Sequence, residues 1–168
     1  PTLLPSFSLD IEAIEQAITS KTRAIIINSP NNPTGQIYSR AELTELAAVL
    51  KKHSEKNGRT IYLVSDEPYR FLNFDQVEIP SAFELYDASV VIGSFSKSLS
   101  LAGERIGYIA VNPALEGASE LLGGLILTNR ILGFVNAPAI AQRILQSCID
   151  SEVDMAIFPN GRALALVK

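Results

Sequence analysis

Three stretches lie in succession within residues 24–64: Ala24-Ile25-Ile26-Ile27, Ser39-Arg40-Ala41-Glu42 and Ile61-Tyr62-Leu63-Val64. The outer two are short apolar runs rich in β-branched residues, the composition of strands buried on both faces. Between them Ser39 and Glu42 form the S-x-x-E pattern of a capping box, in which each residue satisfies a backbone N–H at the start of a helix. Leu43, Leu46, Ala47 and Leu50 then recur on one helical face, and Asn57-Gly58 supplies a stop. Strand, helix, strand at this spacing is a βαβ unit, two parallel strands joined by a right-handed crossover.

Upstream, Ser8 is placed to cap a helix carrying Ile11, Ile14 and Ile18 at helical spacing. The segment Ser29-Pro30-Asn31-Asn32-Pro33-Thr34-Gly35 is dense in turn formers. Downstream, an irregular stretch from Asn73 to Asp87 leads to a third apolar run, Val90-Val91-Ile92. A fourth run, Ile106 to Val111, follows too closely for a covering helix, so at least one antiparallel or edge strand is expected. Pro113 is expected to open a helix towards Leu122, and Pro138 another with Ile140, Ile144 and Leu145 on its apolar face. The pattern predicts an α/β fold: a mainly parallel sheet with helices on both faces and at least one antiparallel strand.

Composition narrows the function classes. The chain has 168 residues, 47% hydrophobic and 19% charged, with a net charge of -4. That excludes disorder for its bulk and suits one domain. No Lys/Arg cluster points to nucleic acid or an anionic membrane surface. The apolar stretch Leu121–Leu127 is too short to span a bilayer and contains Gly123 and Gly124. The single Cys148 excludes an internal disulfide framework and fits a reducing compartment, so a cytoplasmic location is expected. No basic segment followed by an apolar stretch marks a signal peptide. The chain opens on Pro1-Thr2 and closes on Ala163 to Lys168 in good helix formers without a stop signal; both ends read as cuts in a longer protein.

In open parallel sheets ligands bind beyond the carboxyl ends of the strands. Here the first strand leads through Asn28 to Asn32-Pro33, the second ends at Ser65-Asp66-Glu67-Pro68-Tyr69, and the third at Ser94-Phe95-Ser96-Lys97-Ser98. Parallel strands bring these clusters to one rim, and Arg105 is close enough in chain to return to it. A lysine amine able to form a Schiff base, a carboxylate for a pyridine nitrogen, and hydroxyls with an arginine for a phosphate dianion together suggest pyridoxal phosphate chemistry. No metal ion is assigned.

The motifs Asn31-Asn32-Pro33-Thr34-Gly35, Ser65-Asp66-Glu67-Pro68-Tyr69, Ser94-Phe95-Ser96-Lys97-Ser98 and Gly103-Glu104-Arg105-Ile106-Gly107 resemble those of the class I/II aminotransferases of pyridoxal phosphate fold type I, from about Ser8 to about Gln146 and in the family's order. The resemblance implies that Lys97 is the Schiff-base lysine and proton shuttle, and that Asp66 partners the pyridinium nitrogen. It implies that Tyr69 and Asn32 hydrogen-bond the ring's 3-oxygen, and that Ser94, Ser96 and Arg105 hold the phosphate. The Asn32-Pro33 junction resembles one that the family often holds cis.

The same resemblance implies that residues 1–168 are the central part of a large cofactor domain. An upstream phosphate-binding turn, an upstream aromatic that stacks on the ring and a downstream small domain with a carboxylate-gripping arginine would lie elsewhere. It further implies amino acid and 2-oxo acid substrates, an aspartate-type or broad specificity, pyridoxal 5'-phosphate as cofactor and a homodimer, with the 168-residue piece inactive alone. A β-lyase or synthase of the same fold shares these motifs, and a non-catalytic scaffold that keeps them is the reading from another class. Other residues take bland readings. His53 is expected to face solvent, Cys148 to pack on a helix, and Tyr62 and Tyr108 to lie in the core; Arg130 and Arg143 belong to no motif.

Overall fold

The computed structural model describes residues 1–149 in full and the segments 153–157 and 163–167 as backbone. Strands β1 (Ala24–Asn28), β2 (Tyr62–Asp66), β3 (Ser89–Ser94) and β4 (Gly107–Val111) form one sheet in the order β1-β2-β3-β4. The first two pairings are parallel and the third, β3 with β4, is antiparallel, as the short connection required. The sheet is therefore mostly parallel, and it matches the expected part of a fold type I domain.

The crossover between β1 and β2 is helix α2 (Arg40–Asn57). Its capping box is complete: Ser39 Oγ accepts from Glu42 N at 3.3 Å, and Glu42 Oε2 accepts from Ser39 N at 2.8 Å. Glu42 Oε1 also accepts from Leu9 N at 2.9 Å, tying the cap to the N-terminal segment. Gly58 ends the helix with φ +58°, a left-handed conformation that costs a glycine little. The apolar stripe Leu43, Leu46, Ala47 and Leu50 is buried with Ile27 and Leu63 of the sheet, Ile61 just before β2 and Ile14 of α1 (Ile11–Ala17) in the core.

The second face of the sheet carries the alternate residues of each strand. Helix α5 (Ala118–Ile131) covers it at β3 and β4, where Leu122 and Leu125 share a hollow with Ile92 and Ile109. At β1 that face is open, and Ile26 is 72% exposed. Among the described residues no helix is long and apolar enough to cross a membrane.

Local details depart from the sequence reading. The cap of α1 is Asp10, whose Oδ1 accepts from Ala13 N at 2.9 Å; Ser8 instead pairs its hydroxyl with that of Ser6 at 2.7 Å. Pro113 opens no helix. The Asn112 side chain, buried on Phe83 O and Tyr86 O, accepts from Ala114 N at 3.0 Å and bends the chain into a turn, so α5 begins after Gly117. Pro138 opens α6 (Ala139–Cys148) as expected, but Ile140, expected on its apolar face, is exposed and Ala141 is the buried residue. The stretch between β2 and β3 contains one short helix, α3 (Ala82–Leu85). The helix formers Ala163–Val167 are in strand β6, paired antiparallel with β5 (Val153–Ile157). The closing Lys168 lies outside the described residues. His53 does not face solvent: its side chain is 12% exposed, and Nε2 lies 3.0 Å from Glu15 Oε1 on α1.

Candidate active site

The parallel register aligns the carboxyl ends of three strands. Asn28 pairs with Asp66, and Asp66 with Ile92, two residues before Ser94. Register partners project to one face, so Asn28 and Asp66 stand side by side. Asn28 Nδ2 donates to Asp66 O at 2.9 Å and lies 3.3 Å from Oδ2. Burial pushes the Asp66 carboxyl above its ordinary range. Among the described residues no Lys, Arg or His forms an ion pair with it.

The turn after β1 places Asn32. Gly35 N donates to Asn31 O and Asn31 N to Gln36 O, closing a loop in which Gly35 takes φ +73°. The Asn32-Pro33 bond is cis, as is Ser29-Pro30. Asn32 N donates to Asn28 Oδ1 at 2.9 Å, and Asn32 Nδ2 donates to Tyr69 Oη at 3.1 Å. Tyr69 sits on the turn after β2. That turn is anchored by Glu67, whose N–H donates to Ile92 O at 2.9 Å and whose carboxylate accepts from Ser65 Oγ and Arg70.

The third cluster follows β3. Ser94 caps the short helix α4 (Phe95–Ser98): its Oγ accepts from Ser96 N at 3.2 Å and lies 2.9 Å from Ser96 Oγ. Lys97 lies on α4 with its side chain in solvent. After a single 3₁₀ turn (Ala102–Glu104) the chain comes back, and Phe95 N donates to Ile106 O, which holds the residue after Arg105 at the start of α4. Arg105 takes φ +51°, a left-handed conformation uncommon for a non-glycine residue, and one of its N–H groups donates to Ala102 O at 3.0 Å. The two strands meet closely here. A Cβ on Gly93 would fall within the ring of Tyr108, and one on Gly107 would stand 2.5 Å from Gly93 O. Tyr108 is not in the core: it is 48% exposed, with its ring 5.7 Å from that of Phe95.

Of the residues singled out in the sequence, Asn32 and Tyr69 are in direct contact, as are Ser94 and Ser96. Asp66 shares the rim and contacts Asn28, while Lys97 and Arg105 stand at the end of β3 without a side-chain hydrogen bond to the others. Asn28 is the residue that the sequence places at the end of the first strand without giving it a role; its signal is that place, four positions before Asn32. The rim offers an amine, a partly desolvated carboxylate, a phenol–amide pair, two hydroxyls and a guanidinium. Among the described residues no group of three or more His, Cys, Asp or Glu is arranged to hold a metal ion.

Known proteins resemble the chain in sequence and fold. The family model "Aminotransferase class I and II" matches residues 2–157. A "Probable aspartate aminotransferase" of Methanocaldococcus jannaschii is 32% identical over 155 residues, 88% of this chain and 39% of that protein. An "Aspartate/prephenate aminotransferase" of Cereibacter sphaeroides is 41% identical over 62% of this chain and 26% of its own length. The crystal structure of an aminotransferase from Eubacterium rectale superposes with a TM-score of 0.86 at 40% identity, over 89% of this chain and 38% of that one. The chain thus spans well under half the length of these relatives. On the match along nearly its whole length, the chain belongs to the class I and II aminotransferases.

Proposed function

We propose that the full protein is a pyridoxal 5'-phosphate-dependent aminotransferase that moves an amino group from an amino acid to a 2-oxo acid, with Lys97, Asp66 and Tyr69 as catalytic residues. The observation that carries this reading is the contact of Asn32 with Tyr69 on the same strand-end rim as Asp66.

The donor set fits the cofactor. Asp66, pushed up by burial and without a cationic partner among the described residues, is suited to face a protonated ring nitrogen, which would hold the carboxylate ionised. Asn32 and Tyr69 converge from two turns, so an N–H of one and the O–H of the other are suited to one aromatic oxygen. The Ser94 and Ser96 hydroxyls suit a phosphate; Arg105 spends one N–H on Ala102 O and keeps four for a bidentate grip. When bound, the cofactor supplies an electron sink for carbanion charge. Lys97 would hold the cofactor through its Nζ amine, and the freed amine would serve as the base that takes and returns the substrate's α-proton. Asp66 would keep the ring nitrogen protonated, and the Asn32–Tyr69 pair would stabilise charge on the ring oxygen.

In this reading residues 1–168 belong to a large cofactor domain completed by an N-terminal segment and a C-terminal small domain. The protein works as a cytoplasmic homodimer on aspartate or on a broad set of amino acids, and the 168-residue stretch alone is inactive. The relatives' names support the aspartate reading, and the share of their length that is covered supports the partial domain. The test is turnover by the full-length protein. Amino acid consumption that requires a 2-oxo acid supports the transferase. Release of ammonia or a thiol without an oxo acid makes it a lyase of the same fold. Failure to take up pyridoxal phosphate leaves a scaffold and overturns the proposal.

A further inference from the structure

We infer that Asn28 is a positioning residue of this site: its amide ties the Asp66 carboxylate to the turn that carries Asn32. The inference rests on the proposed function for its catalytic meaning, but its geometry stands on the strand ends alone.

Each half of the Asn28 amide is used. Nδ2 donates to Asp66 O at 2.9 Å and reaches Asp66 Oδ2 at 3.3 Å. Oδ1 accepts from Asn32 N at 2.9 Å, with Asn31 Nδ2 at 3.4 Å. The partners fix which way the amide points, because a main-chain carbonyl only accepts and a main-chain N–H only donates. A valine or leucine at the end of β1 would continue the strand equally well and would satisfy neither group. The other charged and titratable neighbours of Asp66 are engaged elsewhere: Glu67 with Ser65 and Arg70, Tyr69 with Asn32. Asn28 therefore does two things. It keeps the carboxylate and the Asn32–Tyr69 pair at one spacing, and its N–H favours the ionised form of Asp66 against the opposing effect of burial.

Two substitutions separate these effects. Asn28→Ala removes both contacts. Asn28→Asp keeps an acceptor for Asn32 N–H and places a carboxylate where the donor stood. The readout is the pH titration of the Asp66 carboxyl carbon by ¹³C NMR in the cofactor-free full-length protein, assigned with Asp66→Asn. In Asn28→Ala the Asp66 midpoint rises by about half a unit to one unit, the size of a lost hydrogen bond to a charged group. In Asn28→Asp the two carboxyls share a proton, and the upper midpoint of the pair rises further. Should Asn28→Ala not fold, Asn28→Asp carries the test. An Asp66 midpoint unchanged from wild type in the folded variants overturns the inference. Because the measurement needs no cofactor, failure of the protein to bind pyridoxal phosphate sinks the proposed function while leaving this result to stand or fall separately.

Discussion

Asn32 Nδ2 donates to Tyr69 Oη across 3.1 Å and so links the turn after β1 to the turn after β2. The contact joins residues far apart in sequence at the point where two parallel strands end. Asn32 is exposed, so the bond adds little to folding; its value is in placing two donors together. Tyr69→Phe is expected to leave unfolding within about 0.5 kcal/mol of wild type. Turnover by the full-length enzyme falls roughly tenfold to a hundredfold, the loss of one hydrogen bond to a charged oxygen. Urea unfolding and kcat measured on the same preparation check both halves.

Under the proposed function, Asp66 sets stability against activity. Burial raises its folded pKa above the unfolded value of 3.8, so the stability it adds is fully present below that value and is lost as pH rises through the folded pKa. Asp66→Asn removes this cost of ionisation. The cofactor-free protein is expected to be at least as stable as wild type at pH 7, while transamination is lost. Unfolding curves at pH 7 without cofactor, together with an activity assay, decide it.

Glu42 behaves in the opposite sense. Burial pushes its carboxyl up, but hydrogen bonds from the Ser39 hydroxyl and from the main-chain N–H groups of Ser39 and Leu9 outweigh burial and hold it below the usual range. Its contribution is present above the unfolded value of 4.5 and is lost as pH falls through the folded pKa. Glu42→Gln is expected to cost about 1–2 kcal/mol at pH 7 and much less at pH 3. Equal losses at both pH values would show that the charge is not involved.

Gly93 and Gly107 both stand where β3 and β4 meet, but they differ in what resists a side chain. At Gly107 a Cβ would meet the main-chain oxygen of Gly93, which cannot swing aside. At Gly93 it would meet the ring of half-exposed Tyr108, which can. Gly107→Ala is expected to destabilise by about 1–3 kcal/mol and Gly93→Ala by less. Combining Gly93→Ala with Tyr108→Ala removes most of the smaller loss, which a double-mutant cycle in urea measures.

The βαβ unit was legible because its signals are local. Ser39, Glu42 and Gly58 act within a few residues of themselves, and the stripe from Leu43 to Leu50 repeats at the helical period. The antiparallel β4 was legible from chain length alone. What escaped was set by partners distant in sequence. Ser8 and Asp10 both suit a cap, and burial of Leu9 beneath Glu42 places the helix start at Asp10. His53 reads as a surface residue until α1 packs beside α2 and brings Glu15 to it. Ala163–Val167 has helical propensity but lies in a strand opposite β5. The rim clusters could be found as motifs, whereas the hold of Asn28 on both Asp66 and Asn32 depends on strand register, which no single segment encodes.

The central claim is that Lys97 carries the cofactor. Full-length protein incubated with pyridoxal 5'-phosphate, reduced with borohydride and digested for mass spectrometry tests it directly. One cofactor adduct per chain is expected, on Lys97, absent in Lys97→Ala although that variant folds, since the side chain is exposed. An adduct on another lysine, or none at all in folded wild-type protein, would contradict it.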